Sequence, residues 1–154
     1  TNGMLCRIRA RHSGQYVRAV NDTMRVGDGL QQTYSSFSQA EEFLLTKAEN
    51  TNGTDWYFIR SVSDPEKYLD VCSKGTDGYD RPTLQAKSGA DSQKFCFKEL
   101  RTGYVIENKQ GYQFDVKLGD YANLAAVIAT GTPSSVAFSD IQDNKVFVLE
   151  KVEK

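Results

Sequence analysis

Two stretches of the sequence match each other without a gap. Leu84–Lys98 reads LQAKSGADSQKFCFK, and Val136–Glu150 reads VAFSDIQDNKVFVLE. Superposing them aligns four pairs of residues: Asp91 with Asp143, Ser92 with Asn144, Gln93 with Lys145, and Phe95 with Phe147. Earlier in the chain, Leu30 and the segment Phe43–Leu45 fill the same roles, with about two extra residues between them. The pattern therefore occurs three times, which indicates an internally repeated fold.

A second repeated feature precedes each of these stretches. Ile8, Ile59 and Ile106 each belong to a short segment that predicts a strand, and they are spaced by 51 and 47 residues. A further strand segment follows each isoleucine, and the three align without gaps: Gln15–Val20 (QYVRAV), Lys67–Cys72 (KYLDVC) and Tyr112–Lys117 (YQFDVK), with Val17, Leu69 and Phe114 at the shared apolar position. Leu118–Ser135 has no counterpart in this alignment, so we interpret it as an insertion in the third unit.

Strands dominate the predicted secondary structure. Turn-forming residues separate the alternating segments, as in Ser13-Gly14 and Asn52-Gly53, and helical turns are indicated only at 38–42 and 121–126. Three units of about 50 residues, each of four strands, account for the chain, and closing them into a ring removes the exposed strand edges. The sequence predicts an all-β fold, a β-trefoil with pseudo-threefold symmetry. We expect a single domain over 1–154, with repeats at about 4–54, 55–101 and 102–154.

Composition and charge exclude several classes of function. The 154 residues include 19 Lys and Arg against 20 Asp and Glu, for a net charge of −1. We expect no nucleic-acid binding, because there is no basic excess to neutralise phosphates. No apolar run approaches the roughly 20 residues that span a bilayer, and no signal peptide is visible at the start of the sequence. Secreted and cytoplasmic locations both stay open, as does an oligomer.

The three cysteines, Cys6, Cys72 and Cys96, form no Cys-x-x-Cys motif. Buried thiols in strands are the leading interpretation, because a free cysteine behaves as a small hydrophobic residue. A Cys72–Cys96 disulfide is the alternative. The one histidine, His12, lies in a turn with no acid or nucleophile assigned to it. We therefore predict no catalytic triad, no metal site and no cofactor, and the protein is not expected to be an enzyme.

The second unit resembles the repeat of the ricin-type lectins. The segments that carry the resemblance are Lys67–Val71, Asp77-Gly78, Leu84-Gln85 and Asp91–Phe95, in which Gln93-Lys94-Phe95 replaces the family's Q-x-W motif. The third unit repeats the pattern through Phe114–Val116 and Asp143–Phe147, whereas the first has Arg18 where the others have Asp. The resemblance implies a β-trefoil with up to three shallow sugar pockets. It also implies non-catalytic binding of glycans, among them those of the galactose or N-acetylgalactosamine type.

Roles for single residues follow from the same resemblance. In the family, an aspartate of the second strand accepts hydrogen bonds from sugar hydroxyls, an aromatic ring covers the sugar, and polar residues near the Q-x-W motif assist. The corresponding candidates are Asp70, Tyr79, Ser92 and Gln93 in the second unit, and Asp115, Phe138 and Asn144 in the third. Tyr79 and Phe138 are the candidates for the ring that covers the sugar, because they lie near the family's aromatic position in the sequence. Each aspartate has a structural alternative, a bond to nearby backbone, and Gln93 has one as a tie between the last strand and a turn.

A protein-interaction function is the alternative to carbohydrate binding. The segment Ser13–Val17 also fits fascin-like trefoils, which bind actin, and other trefoils are protease inhibitors. The replaced residues in each pocket and the Leu118–Ser135 insertion favour this alternative, because long loops on a rigid scaffold often carry the contact.

Overall fold

The computed structural model describes residues 3–20, 23–27, 32–33, 36–37, 42–74, 79–117, 125–131 and 145–152. These ranges contain fourteen strands and a 3-10 turn at Asp91–Gln93. The strands are β1 (Gly3–Ala10), β2 (Tyr16–Val20), β3 (Thr23–Gly27), β4 (Gln32–Thr33), β5 (Ser36–Phe37), β6 (Phe43–Thr51), β7 (Thr54–Ser61), β8 (Lys67–Lys74), β9 (Asp80–Ala86), β10 (Phe95–Leu100), β11 (Gly103–Asn108), β12 (Tyr112–Val116), β13 (Ala125–Gly131) and β14 (Phe147–Lys151). In the described part of the chain, no helix is long and apolar enough to cross a membrane.

Six of the strands close into a barrel. β1 pairs with β6, β6 with β7, β7 with β10, β10 with β11, β11 with β14, and β14 with β1, all antiparallel. Each barrel strand therefore has two neighbours, and the ring has no unpaired edge.

Three hairpins, β2–β3, β8–β9 and β12–β13, cap the barrel. Each hairpin pairs with both of the others, through Thr23 with Thr83, Asp80 with Ala129, and Ala125 with Val26. Each unit contributes one barrel strand, one hairpin and a second barrel strand, in that order along the chain. This arrangement is a β-trefoil of three four-stranded repeats, as predicted.

The core repeats with the same threefold period. Nine side chains at equivalent positions are completely buried: Ile8, Ile59 and Ile106; Val17, Leu69 and Phe114; Phe43, Phe95 and Phe147. Phe114 packs edge-on against both Phe95 and Phe147, with ring centroids 5.3 and 6.2 Å apart. The apolar positions that align in sequence therefore meet in one core, which no single unit could form alone.

The third strand of the third unit is β13, inside the segment interpreted above as an insertion. Phe114 pairs with Ala129 of β13 in the same way that Leu69 pairs with Leu84. The prediction that Val136 begins the counterpart of the Leu84 stretch was therefore wrong. The reason is that β13 reads AAVIATG, in which three alanines and a glycine are weak strand formers and the apolar residues do not alternate with polar ones. Pairing with β12 and β3 therefore defines the strand.

Two smaller predictions also differ from the structure. Val17 pairs with Val26 of β3, so Val26, and not Leu30, is the counterpart of Leu84. The last two residues of the helical turn predicted at 121–126 belong to β13. The remainder of that turn, and 38–41 of the other one, lie outside the described residues.

Cys6 and Cys96 are buried free thiols, as predicted. Burial raises the pKa of Cys6 to about 12 and that of Cys96 to about 11. Because Cys96 is free, the alternative of a Cys72–Cys96 disulfide was wrong. The side chain of Cys72 lies outside the described part of the structure.

Glu49 links the three units at the barrel. Its carboxylate accepts hydrogen bonds from Lys94 of the second unit, at 2.6 Å, and from Lys109 of the third, at 3.1 Å. Thr51 donates to the same carboxylate. Lys94, Thr51 and Lys109 together lower the pKa of Glu49 to about 2.

Replacing Gly103 with alanine is expected to destabilise the barrel where β11 meets β14. A Cβ at this position would lie 2.6 Å from the carbonyl oxygen of Phe147, a backbone atom that cannot move aside easily. We expect Gly103→Ala to lower the free energy of unfolding by about 3 kcal/mol in urea denaturation. Gly111→Ala is the control, because only its positive φ of 88° opposes the change and nothing lies within 4 Å; we expect a loss of about 1 kcal/mol there. Equal losses would show that the close approach at Gly103 has no energetic role.

Candidate functional site

Gln93 is the residue around which the second-unit site is built. It is completely buried at the end of the 3-10 turn. Its Oε1 accepts hydrogen bonds from the backbone N–H groups of Ser88, at 2.9 Å, and Gly89, at 3.3 Å. Its Nε2 donates to the carbonyl oxygen of Ala86, at 2.8 Å, and to Oδ2 of Asp70, at 3.1 Å. The full capacity of the amide is used, so Gln93 positions Asp70 and fixes the segment that follows β9.

Asp70 lies on β8 with one carboxylate oxygen held and the other unused. The residue is buried, with 7% of its surface exposed, and it pairs across the hairpin with Thr83. Oδ2 accepts the bond from Gln93, whereas Oδ1 is buried and has no hydrogen-bond partner among the described residues. A buried oxygen without a partner is costly. Asp70 is therefore fixed by Gln93 through one oxygen, while the hydrogen-bond capacity of its second oxygen is unused among the described residues.

The third unit has the same geometry with different chemistry. Lys145 lies where Gln93 lies in the second unit, as the gap-free alignment predicted, and its Nζ is 3.2 Å from Oδ2 of Asp115. The same ammonium group donates to Oγ1 of Thr130, at 2.6 Å. Thr130 and His12 also interact with Asp115. The second-strand aspartate of this unit is therefore already neutralised by a cation.

Burial dominates the electrostatics of Asp115. It raises the pKa of this carboxyl above its usual value, and Lys145, Thr130 and His12 only partly oppose the shift. A pKa that is higher in the folded than in the unfolded chain means that the group contributes stability at pH below about 4. That stability is lost as the pH rises through the folded value.

Replacing Lys145 tests this account of the third unit. We expect Lys145→Gln to raise the pKa of Asp115 further, because burial then acts without the opposing cation. The side-chain carboxyl resonance of Asp115, followed by NMR during a pH titration, measures the shift. Lys145→Arg keeps the charge and should leave the pKa near its wild-type value. An unchanged pKa in Lys145→Gln would show that the ion pair is not the opposing interaction.

In the first unit, a cation replaces the aspartate itself. Arg18 lies on β2 opposite Arg25 of β3. A guanidinium group has five donors and no acceptor, so it cannot accept hydrogen bonds as a carboxylate can. Glu41 precedes Phe43 as Gln93 precedes Phe95, but it lies outside the described residues.

Of the two predicted aromatic residues, Tyr79 for the second unit and Phe138 for the third, the structure describes only Tyr79. Tyr79 is the exposed large hydrophobic residue of the described ranges, at 36%, and its ring lies 5.5 Å from Nζ of Lys117 in the third unit. Phe138 and Asn144 fall outside the described residues, and the third strand at Ala125–Gly131 does not include Phe138. Ser92 is half-buried in the same 3-10 turn as Gln93.

Two aromatic residues that the sequence did not propose for the site, Tyr68 of β8 and Phe58 of β7, pack against each other. Tyr68 is two residues before Asp70 on β8 and so points to the same face. Its ring packs edge-on against Phe58, with centroids 5.9 Å apart, and Nζ of Lys87 lies 4.6 Å from the Phe58 ring. The sequence contained a signal for Tyr68. Because Leu69 was assigned to the buried face of this strand, Tyr68 belongs to the opposite face, which it shares with Asp70.

Metal-ligating side chains do not cluster in the described ranges: no group of three or more His, Cys, Asp or Glu residues there could hold an ion.

No protein-family model matches the sequence, and no curated protein matches it significantly. Solved structures do match. The designed 3-fold symmetric protein ThreeFoil has a TM-score of 0.67 at 21% identity, over 96% of this chain and 99% of its own. The Rhizoctonia solani agglutinin has a TM-score of 0.66 at 11% identity, over 99% of this chain and 97% of its own. The C-half of an earthworm R-type lectin, solved with GalNAc, has a TM-score of 0.58 at 11% identity, over 97% and 99%.

Longer proteins also contain a part like this chain. The match covers 18% of the length of a mosquitocidal holotoxin and 33% of the length of an endo-β-galactosidase from Clostridium perfringens. Because the identities are only 11–21%, the likeness to these structures establishes the β-trefoil fold alone.

Proposed function

We propose that the protein binds glycans without catalysis, through one pocket in the second unit. The observation that carries the proposal is the state of Asp70. Its carboxylate is fixed by Gln93, and its Oδ1 is buried without a partner among the described residues. An ionised carboxylate accepts short, charge-assisted hydrogen bonds, and adjacent sugar hydroxyls are donors that suit one held at a fixed position.

The sugar class that we propose is galactose or N-acetylgalactosamine. The support comes from what neighbouring structures are described as binding or acting on. They include a lectin in complex with GalNAc, a β-1,3-galactosidase and an exo-β-1,3-galactanase. The Rhizoctonia solani agglutinin supports a lectin function more broadly.

A single working pocket agrees with the differences at the positions that correspond to Asp70 in the first and third units. Lys145 neutralises Asp115 in the third unit, and Arg18 removes the acceptor in the first. Both changes lie at the position that would contact the sugar hydroxyls. We therefore expect one bound sugar per chain.

The pocket is expected to bind weakly. No ring is placed directly over Asp70 by the described contacts, and Lys87 already lies against the faces of Phe58 and Tyr68. Stacking on an aromatic ring is a large part of what a shallow sugar site gains. We expect a dissociation constant in the millimolar range, which corresponds to a binding free energy of about −4 kcal/mol, as hydrogen bonding alone would give.

A glycan array with the wild-type protein tests the function, and titration with galactose and N-acetylgalactosamine measures the affinity. We expect hits that end in one of these two sugars, and competition by the free monosaccharide. Actin co-sedimentation and protease inhibition assays with the same protein are expected to be negative. An array without hits, together with binding to actin or inhibition of a protease, would overturn the proposal in favour of a protein-interaction module.

A further inference from the structure

A cavity of about 580 Å³ opens at the end of the barrel that the hairpins do not cover. All six barrel strands contribute to its wall, through Met4, Leu45, Tyr57, Phe97, Tyr104 and Leu149. Met4 and Tyr104 are the second residues of β1 and β11, and Tyr57 lies in the first half of β7, whereas the capping hairpins follow the ends of these strands. The cavity is therefore on the pseudo-threefold axis, at the opposite end of the barrel from the hairpin triangle and separate from the Asp70 site.

Apolar and aromatic side chains form most of the wall. Phe97 lies between the two tyrosines, with ring centroids 5.8 Å from Tyr57 and 6.3 Å from Tyr104. The plane of the Phe97 ring is tilted by 56° from that of Tyr57 and by 85° from that of Tyr104, so ring faces and ring edges both border the cavity. Rings arranged in this way favour a flat aromatic ligand, because edge-to-face and offset contacts are the preferred aromatic geometries.

The charged residues at the cavity are already paired. Asp55 forms an ion pair with Lys47 at 3.0 Å, and Lys98 forms one with Glu107 at 3.0 Å. Cys96, at the wall, is a neutral thiol, since burial raises its pKa to about 11. The cavity therefore offers no unpaired charge to an ionic ligand, which argues for a neutral one.

Three hydroxyl groups also belong to the lining, those of Thr54, Tyr57 and Tyr104. Neither the Tyr57 nor the Tyr104 hydroxyl has a hydrogen bond within the described ranges, and neither ring is fully buried. A phenol hydroxyl can donate and accept, so each can bind one polar group at the edge of an otherwise apolar molecule. A mostly apolar cavity with a few polar groups, between 300 and 1,000 Å³, is typical of small-molecule sites.

We propose that this barrel-end cavity binds a neutral aromatic small molecule, with its rings against Phe97 and a polar group on the hydroxyl of Tyr57 or Tyr104. This site is independent of the proposed glycan pocket. The two would allow a protein that recognises a sugar at one end to carry or sense an aromatic compound at the other.

Fluorescence titration with N-phenyl-1-naphthylamine, a neutral aromatic amine, tests the proposal. We expect saturable binding of one probe per chain with a blue shift of its emission. Leu149→Trp, which fills the cavity, should weaken binding at least tenfold, whereas the volume-conserving Leu149→Met should change it less than threefold. Asp70→Asn should leave probe binding unchanged, which separates this site from the glycan pocket.

A second measurement does not depend on how the variants fold. In wild-type protein, the ring proton resonances of Tyr57, Phe97 and Tyr104 should shift together on addition of the probe. As a separate test, the double variant Tyr57→Phe, Tyr104→Phe should weaken binding about fivefold. Absence of saturable binding would overturn the proposal. So would shifts confined to residues outside the barrel end, or a Leu149→Trp protein that is folded by circular dichroism and binds as tightly as wild type.

Discussion

Asp70→Asn is expected to lower the affinity for galactose-type glycans by roughly 10- to 100-fold, the equivalent of about 1.5–3 kcal/mol for a hydrogen bond to a charged group. The change keeps the size and shape of the side chain. Gln93 can still donate to the remaining carbonyl oxygen, but an NH₂ donor replaces the unpaired oxygen of Asp70. A donor at this position cannot accept the sugar hydroxyls. Isothermal titration or NMR titration with the monosaccharide measures the loss.

Asp115→Asn is the matched control for this substitution. It makes the same change at the aligned position of the third unit, where Lys145 already occupies the carboxylate. We expect the affinity to stay within twofold of wild type. If Asp115→Asn reduced binding as much as Asp70→Asn did, the third unit would also be a working site and the proposal of one pocket would fail.

Gln93→Leu is expected to have the second large effect, on stability as well as on binding. Leucine fills a similar volume but removes the hydrogen bond that Gln93 donates to the buried carboxylate of Asp70. It also leaves the backbone groups of Ser88, Gly89 and Ala86 without their bonds to Gln93. Removing one partner of a buried charge is strongly destabilising. We expect the free energy of unfolding to fall by about 3 kcal/mol in urea denaturation, with glycan binding lost.

Gln93→Lys separates the two effects, because it copies the residue that the third unit uses. An ammonium group can still donate to Asp70, so the stability loss should be smaller than for leucine. Glycan binding should be lost, because the carboxylate is then neutralised as Asp115 is. The double variant Asp70→Asn, Gln93→Leu should lose less stability than the sum of the single changes, because the two side chains share one interaction. Additive losses would contradict the direct contact.

The architecture could be predicted from the sequence because its signal is repeated. The isoleucines, the second-strand apolar residues and the phenylalanines recur in register, and all nine are buried at equivalent places. The gap-free match correctly aligned Gln93 with Lys145 and predicted Gln93 beside Asp70. For Asp115 the partner predicted was Asn144, whereas Lys145 is the residue that reaches this carboxylate. Repetition gave three chances to detect each position, so loose single motifs were sufficient.

The position of β13 could not be predicted, because its sequence lacks the alternation that marks the other strands. Ala125–Gly131 is small and mostly apolar, and its strand is defined by partners that are distant in the chain. The placement of Phe138 as the aromatic residue of the third strand depended on the same mistaken register.

The barrel-end cavity was also invisible in the sequence. Its wall combines Met4 with Tyr57, Phe97, Tyr104 and Leu149, which only ring closure brings together. The different partners of Asp70 and Asp115 could not be predicted either. Whether an aspartate is held by an amide, as Asp70 is, or by an ammonium group, as Asp115 is, depends on contacts with a distant segment of the chain. Sequence alignment showed that Asp70 and Asp115 are equivalent, and the structure shows that their environments are not.

The central claim, that the second unit alone retains a working acceptor, is tested most directly by mapping the bound sugar on the wild-type protein. A ¹H–¹⁵N NMR titration with galactose or N-acetylgalactosamine reports every backbone amide at once. We predict one binding isotherm, with shifts concentrated at 68–71, 83–89 and 92–93, and little change at 16–19 or 113–116. Comparable shifts around Asp115 or Arg18, fitted by a second isotherm, would contradict the claim.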